Sequence, residues 1–239
     1  MRDIPAETFE AVLFDNDGTL ADSRGPVERS WRAWAREHDV EFESFGNFHG
    51  VTSRGIVQRV APHLDADAAT SRIDRLELED LDGIVALPGA VDALAATGAR
   101  AAIVTSAGRE LARLRLDAAG LALPAVVVTA DDITSGKPDP EPYLTGASRL
   151  DADPARCLVV EDAVAGLQAG RAAGAATLAV LTTSTREEVE LYADLVVTSL
   201  ADVEFSLTDE GVRVSLRTRR VASRSRGAAR VTCREAGGG

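Results

Sequence analysis

Four short stretches of this 239-residue chain set reactive side chains where an apolar run ends or a turn begins. AVLF at 11 to 14 stops at Asp15, and Asp17 follows two residues later in DNDGT. AAIV at 101 to 104 runs into Thr105 and Ser106, Lys137 lies in SGKPDPEPY, and CLVV at 157 to 160 runs into Glu161 and Asp162. Two acids, two hydroxyls, a lysine and a second acidic pair suit a phosphate held on Mg²⁺. That cation is hard and takes oxygen ligands in octahedral geometry, commonly one or two carboxylates, a substrate oxygen and waters. Asp15 and Asp162 supply the carboxylates in this reading, with Glu161 as a supporting or water-mediated contact. Lys137 neutralises charge on the transferring group, while the hydroxyl of Thr105 and the backbone amide of Ser106 hold its oxygens.

These residues need a scaffold that brings distant stretches together. Apolar runs without polar alternation, at 11 to 14, 101 to 106, 125 to 130, 157 to 162 and 176 to 180, read as strands buried on both faces. Helical patterns separate them, at about 88 to 97, 107 to 119, 140 to 150 and 163 to 173. That alternation predicts an α/β fold with a doubly wound, Rossmann-like parallel sheet, whose ligand crevice lies beyond the carboxyl ends of the strands. Residues 23 to 86 break the alternation with Arg- and Glu-rich helical stretches (25 to 38, 52 to 62 and 66 to 82) and no convincing strand. They read as a helical cap inserted after the first strand, leaving 1 to 22 and 87 to 205 as the core. Trp31 and Trp34, three apart on the first cap helix, fit core packing rather than ligand stacking. Toward the end, VEFSL and VRVSL flank TDEG, a terminal hairpin reaching residue 217.

Taken together, DNDGT, the IVTS strand end, the Lys of SGKPDPEPY and the acidic pair of VVEDAVAG resemble the four motifs of the haloacid dehalogenase superfamily, in order, over about residues 9 to 200. The resemblance implies that Asp15 is a nucleophile forming an aspartyl-phosphate. It implies that Asp17 is the general acid and then base, with its backbone carbonyl on the metal. An Asp at position 17 separates phosphate-ester chemistry from the dehalogenases, ion pumps and phosphonate hydrolases of the superfamily; Asn16, often apolar in relatives, is a mild departure. The stretch FHGVTSRGIV resembles the cap loop of members acting on sugar and polyol phosphates, such as glycerol-3-phosphatase and 2-deoxyglucose-6-phosphatase, which makes His49 and Arg54 candidate substrate contacts. Asp22 and Ser23 fall where hinge or selectivity residues are expected. The expected activity is Mg²⁺-dependent hydrolysis of a small sugar or polyol phosphate. A phosphomutase like β-phosphoglucomutase is one rival, and a catalytically silent phosphate-binding or regulatory protein is another.

Composition narrows the partners. A net charge of −12 argues against a general nucleic-acid binder. Residues 211 to 239 are the exception, holding eight Arg and one Glu. From about residue 218 the sequence loses periodicity and reads as a basic, disordered tail that could bind an acidic partner or RNA. Cys157 and Cys233 have no metal-binding spacing and read as free thiols. No apolar run reaches the roughly 18 residues of a membrane helix, and the N-terminus lacks a signal-peptide pattern. A cytoplasmic monomer acting on a small phosphorylated metabolite is expected.

Overall fold

The computed structural model describes residues 1 to 46 and 49 to 217. A short strand β1 (Thr8–Phe9) leads into β2 (Ala11–Phe14). Next, β3 (Ala21–Asp22) opens a helical segment of α1 (Arg24–Glu37), α2 (Ser53–Val60) and α3 (Ala66–Glu79), which β4 (Val85–Ala86) closes. Alternation then takes over: α4 (Ala90–Thr97), β5 (Ala101–Val104), α5 (Arg109–Ala118), β6 (Val126–Val128), α6 (Glu141–Arg149), β7 (Cys157–Glu161), α7 (Val164–Ala172) and β8 (Ala176–Val180). The one-turn α8 (Arg186–Val189), β9 (Leu195–Val197) and the hairpin of β10 (Val203–Thr208) and β11 (Gly211–Leu216) complete the described chain.

Six strands form the main sheet in the order β6-β5-β2-β7-β8-β9, and every neighbouring pair is parallel. The reason is legible in the strands themselves. In β2, Val12 and Phe14 join one apolar cluster with Ile103, Leu158, Val160 and Leu178, while Ala11 and Leu13 join another with Val104, Val128, Tyr143 and Val159. Both faces therefore need covering, which a parallel sheet with crossover helices provides. The chain winds from β2 through β5 to β6 on one side and through β7, β8 and β9 on the other. The switch point, where such sheets hold ligands, thus lies among the ends of β2, β5 and β7.

The helical segment has its own core of Trp31, Trp34, Phe45, Ile56, Val57 and Ile73. The two tryptophan rings meet edge to face with centroids 5.5 Å apart, a favoured aromatic geometry. Trp34 Nε1 donates to Ala69 O at 2.9 Å, satisfying the indole inside that core. Asp65 caps α3 by accepting from Ala68 N at 2.8 Å.

Four short strands, β1, β3, β4 and β9, went unread in the sequence. β4 falls inside the stretch expected to hold no strand, and it pairs antiparallel with β3, so the two chain crossings into the helical segment run side by side. β9 adds the sixth strand. β1 pairs with β11, making the terminal hairpin part of a three-stranded sheet. Gly211 begins β11 because a Cβ there would meet Phe9 O at 2.3 Å. The Arg-rich stretch from residue 218 and Cys233 lie outside the described residues. No helix among the described residues is long and apolar enough to cross a membrane.

Candidate active site

Asp15 leaves β2 still in register with the sheet, its N–H donating to Val160 O at 2.9 Å. The chain then turns tightly: the amides of Leu20 and Ala21 both donate to Asn16 O, at 2.8 and 2.9 Å. Gly18 makes this turn possible. Its φ is +92°, and a Cβ would sit 2.0 Å from Asp162 Oδ2, so only glycine lets the loop lie against that carboxylate. The turn brings Asp17 back beside Asp15, and both line one crevice together with Thr105, Ser106, His49 and Gly50. Asn16 is buried and stands outside that lining.

Lys137 enters from the loop before α6 and is 3% exposed. Its ammonium donates to Asp15 Oδ1 at 2.6 Å, Glu161 Oε1 at 2.7 Å and Val104 O at 2.9 Å, which uses all three of its protons. Burial alone would lower its pKa, but Asp15 and Glu161 outweigh that and the net shift is upward. The lysine stays charged.

Carboxylate oxygens of Asp15, Glu161 and Asp162 lie within 4.8 Å of one another, all three residues buried. Their roles separate by hydrogen bonding. Glu161 accepts from Lys137 Nζ, Tyr143 Oη, Asp162 N and Ala163 N, at 2.7, 2.8, 3.0 and 3.1 Å. Four donors fill the roughly four lone-pair sites of a carboxylate. Glu161 thus anchors the lysine, and proximity alone does not make it a cation ligand. Asp15 and Asp162 keep capacity. Asp162 accepts from Thr19 Oγ1 at 3.3 Å and from the Thr183 hydroxyl. Burial first, and Glu161 second, push the Asp162 carboxyl up to about 8. The same two causes drive Asp15 well above the ordinary carboxylate range, against the pull of Lys137. Three buried acids facing one ammonium form a pocket that lacks positive charge. Oxygen donors alone, in that charge state, fit a hard divalent cation.

Asp17 sits in a different field. Burial would raise its pKa, yet Arg115 and then the Ser23 hydroxyl reverse the shift and hold it below the usual range. Its Oδ1 accepts from Ser23 Oγ at 2.6 Å and Arg115 Nη1 at 3.0 Å, and Thr105 Oγ1 lies 3.4 Å from Oδ2. Ser106 Oγ donates to Gly50 O at 2.8 Å, joining the core to the helical segment.

The structure gathers Asp15, Asp17, Thr105, Ser106, Lys137, Glu161 and Asp162 at one end of β2, β5 and β7. His49 reaches the crevice from the helical side, its pKa lowered by burial and then by Arg24. Arg54 does not arrive. α2 turns Ile56 and Val57 inward, and Arg54 lies exposed on the outside, paired with Asp67. Trp31 is core as expected, but it also lines the crevice. Tyr143, Arg115 and Glu77 were not read in the sequence as site residues. A lone tyrosine at a helix start, or one arginine among three in α5, carries no local signal of burial.

A haloacid dehalogenase-like hydrolase model matches residues 9 to 174, and the chain belongs to that family. It is an enzyme, a phosphoric monoester hydrolase. Among curated proteins, hexitol phosphatase A of Escherichia coli (strain K12) is 43% identical over 178 residues, covering 72% of this chain and 82% of the relative. Validoxylamine A 7'-phosphate phosphatase of Streptomyces hygroscopicus subsp. limoneus is 32% identical over 209 residues, covering 82% and 97%. Among solved structures, a hydrolase from Pseudomonas syringae superposes with a TM-score of 0.73 at 26% identity, covering 81% of this chain and 95% of that one.

Proposed function

We propose that the chain hydrolyses a small sugar or polyol phosphate in a Mg²⁺-dependent reaction, through an aspartyl-phosphate on Asp15. The observation that carries this reading is the buried contact of Lys137 with Asp15 beside Asp162, with Asp17 at the same crevice. The similarity to a hexitol phosphatase supports the substrate class.

Asp15 and Asp162 would hold the cation, with the Asp17 carbonyl as a further donor. When bound, Mg²⁺ supplies charge neutralisation that lets an anionic carboxylate approach an anionic phosphate. The chain's own groups do the rest. Lys137 orients Asp15 by gripping Oδ1, and it meets the charge of the transferring group. Glu161 and Tyr143 fix the ammonium, so little reorganisation is needed at the moment of attack. Thr105 and the Ser106 amide, from residues lining the same crevice, would hold the phosphoryl oxygens. Asp17 delivers a proton to the departing alcohol and later takes one from the water that hydrolyses the phosphoenzyme. Such proton transfer contributes typically about 10² to 10⁴-fold.

The test is phosphate release over hexitol, glycerol, sugar and nucleotide phosphates, with Mg²⁺ and with a chelator. Release from polyol or sugar esters, lost with chelator and lost in a folded Asp15→Asn variant, is the expected result. Near-normal release from Asp15→Asn would overturn the nucleophile assignment. Transfer to a second sugar without free phosphate would favour the phosphomutase.

A further inference from the structure

Arg115 is a buried cation that no step above employs. It stands on α5 among Leu111, Ala112 and Leu116, and is 5% exposed. A guanidinium in that setting is tolerated only when paired. Its partners come from two different layers of the molecule. Nη1 donates to Asp17 Oδ1 at 3.0 Å, in the loop after β2, and Nη2 donates to Glu77 Oε1 at 3.2 Å, on α3 of the helical segment. Nε has no partner among the described residues.

Glu77 is the more telling partner. It continues the inward face of α3 begun by Ala69 and Ile73, so the helical pattern calls for an apolar residue there. An acid stands in that place, buried, and beside it Leu78 and Leu81 pack against Ala107, Leu111 and Ala112 of the core. This seam is where α3 meets α5. The Glu77 contact therefore exists only while the helical segment is seated on the sheet, whereas the Asp17 contact lies wholly within the core.

We propose that Arg115 is a positioning residue for Asp17, and that Glu77 makes this positioning depend on the cap being seated. The inference rests on the reading of Asp17 as the acid that protonates the leaving alcohol. Arg115 and Ser23 together hold Oδ1, which leaves Oδ2, met by the Thr105 hydroxyl at 3.4 Å, as the oxygen able to hand over a proton. A planar fork grips Asp17 and Glu77 through two separate nitrogens held in a fixed mutual direction, whereas a lysine offers a single ammonium on a flexible stem that fixes no such direction. With the cap seated, Glu77 fixes the far side of the fork and so the direction from which it holds Asp17. With the cap lifted, that side is free and the carboxylate loses its fixed bearing.

Leaving-group dependence tests this. An alkyl ester such as sorbitol 6-phosphate needs a proton on its departing oxygen, and p-nitrophenyl phosphate does not. Measured as kcat/KM with Mg²⁺, Arg115→Met should lose about 10- to 100-fold on the alkyl ester and less than about threefold on the aryl ester. Glu77→Gln should show the same preference with a smaller loss. The double variant should be no worse than Arg115→Met alone, because Glu77 acts through the guanidinium. Arg115→Lys keeps the charge without the fork, and should stay impaired on the alkyl ester; it and Glu77→Gln serve if Arg115→Met does not fold. Equal losses on both esters, or losses that add in the double variant, would assign Arg115 a purely structural role and overturn the proposal. Asp17→Asn separates the two layers of reasoning. If it retains alkyl turnover, the acid assignment itself falls; if it loses turnover while the Arg115 and Glu77 variants treat both esters alike, only the positioning inference falls.

Discussion

Asp162→Asn should make the metal-free protein more stable while abolishing its response to Mg²⁺. The site holds three buried carboxyl groups and one ammonium. Asp162 is 1% exposed, and its carboxyl is pushed up to about 8 from 3.8, by burial first and then by Glu161. An acid with a raised folded-state pKa binds its proton more tightly folded than unfolded. Its contribution is therefore fully present below the unfolded value and is lost as pH rises through the folded one. A displacement of that size corresponds to at most about 6 kcal/mol above pH 8. Relaxation and water entry should reduce this to about 2 to 3 kcal/mol. Asparagine keeps the shape, and Thr19 and Thr183 can still be partnered, since a hydroxyl both donates and accepts. The assay is urea unfolding at pH 8.5, followed by far-ultraviolet circular dichroism, in chelator and in Mg²⁺. With a urea slope of about 2 to 3 kcal/mol per molar, the variant's midpoint in chelator should rise by about 1 M. Mg²⁺ should raise the parent midpoint and leave the variant unmoved. A variant no more stable than its parent in chelator, with Mg²⁺ shifting both alike, would refute the charge argument and the cation site together.

Lys137→Met should destabilise the protein by about 3 to 5 kcal/mol at neutral pH, because it strands Asp15 and Glu161 without their shared ammonium; an unchanged urea midpoint would contradict this. Gly166→Ala should cost about 1 to 3 kcal/mol and most of the phosphate release, since its Cβ would fall 1.7 Å from Glu161 Oε1 and displace the group that holds the lysine. A normal melting temperature and normal turnover would show that Glu161 is not held as described. The Glu77 carboxyl is pushed up to about 7 by burial, against the pull of Arg115 and with help from Asp17 and Asp74. Stability measured with Mg²⁺ should therefore decline between about pH 5 and pH 7 by up to about 3 kcal/mol more in the parent than in Glu77→Gln. Parallel profiles would disprove it.

The core of the sheet was legible because its strands must be buried on both faces, which leaves continuous apolar runs such as CLVV ending abruptly in Glu161 and Asp162. An acid directly after such a run stands at the carboxyl end of a strand whatever the rest of the chain does. Asp15, Thr105 and Asp162 could be placed on that basis, and Lys137 by its motif. β1, β3, β4 and β9 have only two or three residues each, too few for any period to emerge. Arg54 and Arg115 show the harder limit. Both are arginines on helices, yet one meets Asp67 at the surface and the other meets Asp17 and Glu77 in the interior. Helical spacing gives a residue's face, but which face meets the core is settled by how two layers dock.

That docking is close enough to matter for chemistry. Gly50, at φ +77°, would bring a Cβ within 2.9 Å of the Ala163 side chain, and Gly136 would bring one within 2.8 Å of Thr52. Each contact joins the helical segment to the core, and each needs a residue without a side chain. Beneath it, Asp15, Lys137 and Asp162 are 4%, 3% and 1% exposed. We propose that the helical segment lifts to admit a phosphate ester to the crevice beside Asp15, and that reaction follows its return. The same closeness would strengthen every charge interaction inside, by keeping water from screening the buried Lys137 from a phosphoryl group. A loosely fitted cap would admit substrate freely and lose that advantage. Separating entry from reaction in time would resolve that conflict, and the ion pair between Arg115 and Glu77 lies on the seam between α3 and α5.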